Sequence, residues 1–164
     1  TPELTRAQAL YTGGGFAAPE AWHVHRELIA QYETEYDPRV ASRIVGGKSF
    51  NAADYIQLGY ARQAAIAEVR AMLQPFDAMI YPTIAITAPT IAEADASDEA
   101  YGALNLLLLR NTGLTNILDG CAVSLPCHRS GEAPVGLTVA GMGGEDARVL
   151  SVASAVETAL SDGA

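Results

Sequence analysis

Three short apolar runs, each closed by turn residues, do most to limit what this chain can fold into. Ala78-Met79-Ile80-Tyr81 stops at Pro82, Cys121–Leu125 runs into Pro126, and Val135–Ala140 ends at Gly141. Runs this short read as strands, and their apolar character on both parities suits strands covered on both faces. The second and third are joined by the polar turn Arg129–Glu132, and Ile84–Thr87 offers an extension of the first beyond its proline. Helical patterns surround them. Pro19 suits a first helical turn, and Ala21, Val24, Leu28 and Tyr32 then recur at helical spacing. Asp37-Pro38 reads as a cap and first residue of a short helix carrying Val40 and Ile44 and ending at Gly46-Gly47. The longest helix is expected from Ala52 to Gln74, with Asn51 as cap and Asp54 in its first turn. Tyr55, Leu58, Ile66, Val69, Leu73 and Phe76 share one stripe of it, and so does Arg62. Tyr101–Thr112 carries leucine on nearly all sides and reads as a buried helix; Val149, Val152, Ala153, Val156 and Leu160 mark a final amphipathic one. Residues 88–100 read as an acidic loop. Residues 1–18, with Gly13-Gly14-Gly15, read as an irregular lead-in to one domain over 19–164. The class is α/β, a mixed sheet flanked by helices.

With 164 residues, 49% of them hydrophobic and 18% charged, the chain can bury a core and is not a disordered one. So little charge suggests surface meant to be covered by something else. A first residue that is not methionine, and no secretory signal, fit a piece of a longer protein. The net charge of −9, with Lys48 and nine scattered arginines, argues against nucleic acid as a partner. The longest uninterrupted apolar run, Leu106–Leu109, is far below the roughly 20 residues of a membrane helix. Cys121 and Cys127 read as free buried thiols in a reducing cytoplasm.

Several motifs fail on their own terms. Gly47-Lys48-Ser49 resembles the end of a phosphate-binding loop, but that loop requires glycine where Ser42 stands and a strand where a helix is expected. His23 and His25 do not share a helix face, and Cys127-His128 lacks the paired spacing of a zinc site, so no metal is expected. None of the eight serines sits in a G-x-S-x-G elbow. Lys48 in a wet loop should stay protonated and useless as a base. Cys127 and His128 are adjacent on a strand and point to opposite faces.

Six pieces in order give the chain a resemblance. They are Arg43-Ile44 with Gly46-Gly47; Asn51-Ala52-Ala53-Asp54-Tyr55 followed by Arg62; Asp77 through Pro82-Thr83; Asn111-Thr112 and Asn116; Ser124-Leu125-Pro126-Cys127; and Pro134-Val135-Gly136-Leu137. From about Glu20 to Leu160 the chain resembles the C-terminal part of an amidase of the amidase signature family. Members of that family cleave or transfer carboxamides with a Ser–cis-Ser–Lys triad, by general-base activation of a serine and backbone stabilisation of the oxyanion. The resemblance places the triad in the family's N-terminal half. These residues are therefore expected to contribute no catalytic group, only sheet and part of the acyl-pocket wall. It implies no metal or organic cofactor, a small carboxamide as substrate, and as partner the N-terminal half of the enzyme or another copy of the chain. The rival readings are a non-catalytic short relative that binds a ligand or partner, one chain of a nicked enzyme, and an unrelated α/β domain.

Arg43 stands in the family's R-I-x-x-G motif, whose arginine grips a substrate carboxylate in the glutamine-dependent transfer-RNA amidotransferase branch. A guanidinium suits that task by its bidentate geometry, although an arginine on a helix surface paired with an acid would look the same. That branch carries an aspartate where this chain has Leu109, beside Arg110, and Asp119-Gly120-Cys121 replaces the commoner Gly-Leu-Pro. Both departures favour a broad-specificity amidase over glutamine as substrate. Arg43, Tyr81, Thr83, Arg110 and Asn116 are the substrate-binding candidates, with turn and cap hydrogen bonding the plainer role for Tyr81, Thr83 and Asn116. These residues alone should release no ammonia from a panel of simple amides. Turnover that survives purification to one band and Lys48→Ala, with each serine tested, would remove the argument from the missing triad.

Overall fold

The strands lie in the order β1-β3-β2, with β1 spanning Met79–Pro82, β2 Cys121–Pro126 and β3 Gly136–Gly141. Both pairings are antiparallel: Ile80 and Val123 each face Val139, and Tyr81 and Ser124 each face Thr138. The class is α/β, with this chain's three described strands antiparallel rather than mixed. The computed structural model describes residues 1–12 and 15–162.

Among the described residues there are seven α-helices: α1 (Pro2–Thr12), α2 (Ala17–Tyr32), α3 (Pro38–Gly46), α4 (Ala52–Leu73), α5 (Ile91–Ala94), α6 (Asp98–Ile117) and α7 (Asp146–Asp162). Two starts follow their sequence signals closely. Asp37 accepts from the Arg39 and Val40 N–H groups at the start of α3, and Asn51 and Asp54 close a reciprocal capping box at the start of α4. One face of the sheet packs on α7, where Leu125, Val139, Val149 and Ala153 are buried. A second core joins α1, α4 and α6 through Ala7, Ala65, Val69, Ile117, Leu118 and Met142.

The irregular lead-in over residues 1–18 is corrected by that second core. Pro2–Thr12 is helical and Ala7 is fully buried, while Gly13 and Gly14 lie outside the described residues. The run Ile84–Thr87 forms no strand. The acidic loop contains α5, held by a capping box between Thr90 and Glu93, and α6 begins inside it at Asp98 and runs on to Ile117.

Two helices expose residues expected to be buried. On α2 the expected core residues Val24, Leu28 and Tyr32 are 66%, 48% and 48% exposed. The helix instead turns Ala18 and Trp22 to Gly47, and Ile29 is buried. A Cβ on Gly47 would overlap the Ala18 carbonyl. The last glycine of the R-I-x-x-G motif is therefore needed for a close crossing of α2 over the end of α3. On α6, Leu106 and Leu109 are exposed, so leucine on all sides does not here mean burial on all sides. Both outer strands are sheet edges, with Ile80 exposed on β1. Nearby on the sheet and its flanks, Tyr81, Ile84 and Val123 are half-buried and Leu125 is buried. Open strand edges beside exposed leucines are adhesive. The isolated chain should self-associate over a light-scattering concentration series; a strict monomer at all concentrations would mean that these faces are self-sufficient.

Candidate functional site

The expected site residues fall into three places. Arg43 lies on α3, exposed, with its Nε donating to the Arg39 carbonyl at 3.2 Å. Its guanidinium stands 6.0 Å from the centroid of the Tyr101 ring, contributed by the first turns of α6, and Arg39 covers the same ring at 4.5 Å. Arg39 is bound on its other side: Nε donates to Asp98 at 2.8 Å and Nη1 to Asp95 at 3.0 Å. Those two carboxylates, Asp98 foremost, push the Arg39 guanidinium further above its usual range. Between α3 and α6 this leaves a cleft of about 680 Å³ walled by Pro38, Ser42, Tyr101, Asn105 and Leu106 as well as the arginines.

Tyr81 and Arg110 share a second, smaller cleft of about 150 Å³ between α1, β1 and α6. The Tyr81 hydroxyl bonds to Thr115 Oγ1, whose residue is 9% exposed. Burial raises the Tyr81 phenol above its ordinary range, against the Thr115 bond, which pulls the other way. Beside it the Asn111 amide donates to the Pro82 carbonyl at 2.7 Å, tying α6 to the end of β1. Arg110 is exposed, its Nε on Asn111 Oδ1 at 3.2 Å.

Thr83 joins neither cleft. Its Oγ1 lies 2.6 Å from Ser124 Oγ and 2.8 Å from Thr138 Oγ1, and its N–H donates to the Gly136 carbonyl at 2.8 Å. Gly136, of the Pro-Val-Gly-Leu motif, makes room for these hydroxyls: a Cβ there would meet Ser124 Oγ at 2.6 Å and Thr83 Oγ1 at 2.7 Å. Asn116 is exposed at the far end of α6, and its carbonyl accepts from Arg62 Nη2 at 3.3 Å. Arg62 explains its place on an apolar stripe by capping that helix end, with Nε on the Ile117 carbonyl at 2.8 Å.

Lys48 lies in a turn, its amine 5.9 Å from the Trp22 ring centroid, while the neighbouring Ser49 hydroxyl donates to the Gly46 carbonyl. Both cysteines are free, but Cys127 is exposed, so the expected burial of both thiols is corrected. Among the described residues no group of three or more His, Cys, Asp and Glu side chains is placed to hold a metal ion. No helix among them is long and apolar enough to cross a membrane. Sequence reasoning missed Arg39 and Tyr101 as neighbours of Arg43. The spacing of Arg39 and Arg43 by one helical turn was the available signal.

The chain belongs to the Amidase family, whose model matches residues 8–150. It is 24% identical over 163 residues to a 2-amino-5-chloromuconic acid deaminase of Comamonas testosteroni, covering 99% of this chain and 35% of that protein. It is 32% identical over 124 residues to a fatty acid amide hydrolase of Arabidopsis thaliana, covering 74% of this chain and 20% of that one. The crystal structure of the K. lactis urea amidolyase superposes with a TM-score of 0.78 at 28% identity, over 93% of this chain and 9% of that one. The chain thus spans about a third or less of each of these relatives.

Tyr81→Phe separates a wall role from a structural one. It leaves the Thr115 hydroxyl without its partner and should cost about 1 kcal/mol in urea unfolding at neutral pH. A phenol with a raised folded pKa stabilises the fold below the ordinary tyrosine value, and that contribution is lost as pH rises through the raised one. The alkaline fall in stability should therefore be shallower in Tyr81→Phe. An unchanged urea midpoint and alkaline limb would remove the structural role.

Proposed function

We propose that these residues form the C-terminal part of an amidase that hydrolyses the C–N bond of a small carboxamide. In this reading they supply sheet and acyl-pocket wall, while the nucleophile and its base lie in another part of a longer polypeptide. The observation that carries it is Arg43. It sits in the family motif, it faces an open cleft, and among the described residues it makes no ion pair of its own. A free guanidinium over an aromatic wall is a seat for a carboxylate. The absence of a triad here is supported by Lys48, which makes no hydrogen bond to a serine among the described residues, and by the Ser49 hydroxyl already engaged on the backbone.

The remaining candidates rank by their surroundings. Tyr81 and Arg110 line one cleft and could face the same ligand. Thr83 sits among hydroxyls on an open part of the sheet, and Asn116 faces outward and is the weakest. The chemistry requires no metal or organic cofactor, because attack on a carboxamide by an activated serine is general-base work. The natural cover for Ile80, Leu106 and Leu109 is the rest of the enzyme or another copy of the chain, and two free thiols suit a reducing cytoplasm.

In the full-length enzyme, Arg43→Ala should raise KM chiefly for amides that carry a carboxylate, by the equivalent of about 1.5–3 kcal/mol for one charge-assisted contact. Steady-state kinetics on matched charged and neutral amides decides it. Equal effects on both would return Arg43 to a helix-surface role.

A further inference from the structure

Arg39 and Arg43 lie one turn apart on α3, over one aromatic ring, yet only one of them is free. Arg39 is held by Asp98 at 2.8 Å and Asp95 at 3.0 Å, from the start of α6 and the end of α5. With two carboxylates against one guanidinium, that group carries a net charge of −1 (+1 −1 −1). Arg43 adds a single positive charge whose only hydrogen bond among the described residues is to the Arg39 carbonyl. The rest of the wall holds one further carboxylate, Asp37, whose Oδ1 already accepts from the Arg39 and Val40 N–H groups, and is otherwise uncharged: the Tyr101 ring, Leu106, Pro38 and the Asn105 amide.

We infer that Asp95 and Asp98 act as a charge filter in the cleft between α3 and α6, holding Arg39 as a positioning residue so that the site takes one carboxylate and rejects a short dicarboxylate. The inference rests on the reading of Arg43 as the carboxylate contact. A first carboxylate pairs with the open Arg43 fork. A second one within a few ångströms meets Arg39 already neutralised and two acids beyond it, so it loses its hydration without gaining a partner. The Asn105 amide, both donor and acceptor, and the ring face suit a neutral polar or apolar remainder. Arg39 meanwhile pins the junction of α5 and α6 to α3, which fixes Tyr101 under both guanidinium groups.

The acids are mostly exposed, with Asp95 and Asp98 side chains 63% and 81% accessible, so the selectivity is modest and sensitive to salt. Calorimetric titration of the full-length protein with propionate and with succinate, neither of which can be hydrolysed, reads it directly. At low salt the wild type should bind propionate about two- to fivefold more tightly than succinate. Asp95→Asn with Asp98→Asn frees the Arg39 fork and should reverse the preference. Asp95→Asn alone, a change at an exposed position, should shift it part of the way and covers the case in which the double variant fails to fold. A wild type that prefers succinate, or a preference unmoved by both variants, overturns the charge filter. Arg43→Ala that keeps wild-type propionate binding, or a wild type that binds neither acid, overturns the carboxylate reading beneath it.

Discussion

Helix α6 is bound to the sheet by the Asn111 amide on the Pro82 carbonyl and by the Tyr81 hydroxyl on Thr115, and both clefts hang from that tie. These two bonds sit about one helical turn apart, so they fix the rotation of α6 as well as its distance. Gly113, Thr115 and Ile117 are buried around this tie, whereas Leu106 and Leu109, further toward the N-terminus of the helix, are exposed. The same rotation brings Arg110 beside Tyr81 and, further toward the N-terminus, swings Tyr101 beneath α3. At the other end, Arg62 from α4 closes the last carbonyls, so neither terminus of the helix is free to slide.

The two clefts differ in what built them. The one around Tyr81 is a seam between packed elements, its polar groups satisfied by one another. The one around Arg43 is a gap, bridged on one side only, by Arg39 reaching from α3 to acids around the start of α6. Under the proposed function, the carboxylate contact belongs to the second kind of place, where the Arg43 guanidinium makes no ion pair among the described residues. The seam explains instead why Tyr81 and Asn111 are polar at positions that a packed sheet would otherwise fill with hydrocarbon.

What the sequence disclosed follows the range of the forces involved. Caps act within four residues, and the caps at Asp37 and Asn51 stand where the residues place them. The strands were legible because proline and glycine bound them within a few residues. The α1 helix was not: Pro2–Thr12 holds only a weak apolar stripe, and it is Ala7 packing into distant Val69 and Met142 that secures the helix. On α2 two stripes have helical spacing, Ala18-Trp22-Ile29 and Val24-Leu28-Tyr32, and spacing alone does not say which of them this chain covers. The pairing of Arg39 with Asp95 and Asp98 spans more than fifty positions, and no local pattern reaches that far.

Gly47 and Gly136 stand in two of the motifs by which the chain resembles its family, and each is glycine because a neighbour occupies the place of a side chain. Their neighbours are the Ala18 carbonyl in one case and the Thr83 and Ser124 hydroxyls in the other, and none of these lines the cleft beside Arg43. A chain could exchange one amide for another as its substrate and still be unable to alter either glycine. Such positions identify the scaffold as a watermark identifies paper: they survive whatever is written on it, and under the proposed function the choice of substrate has to be read from side chains like Arg43 that the scaffold leaves at liberty.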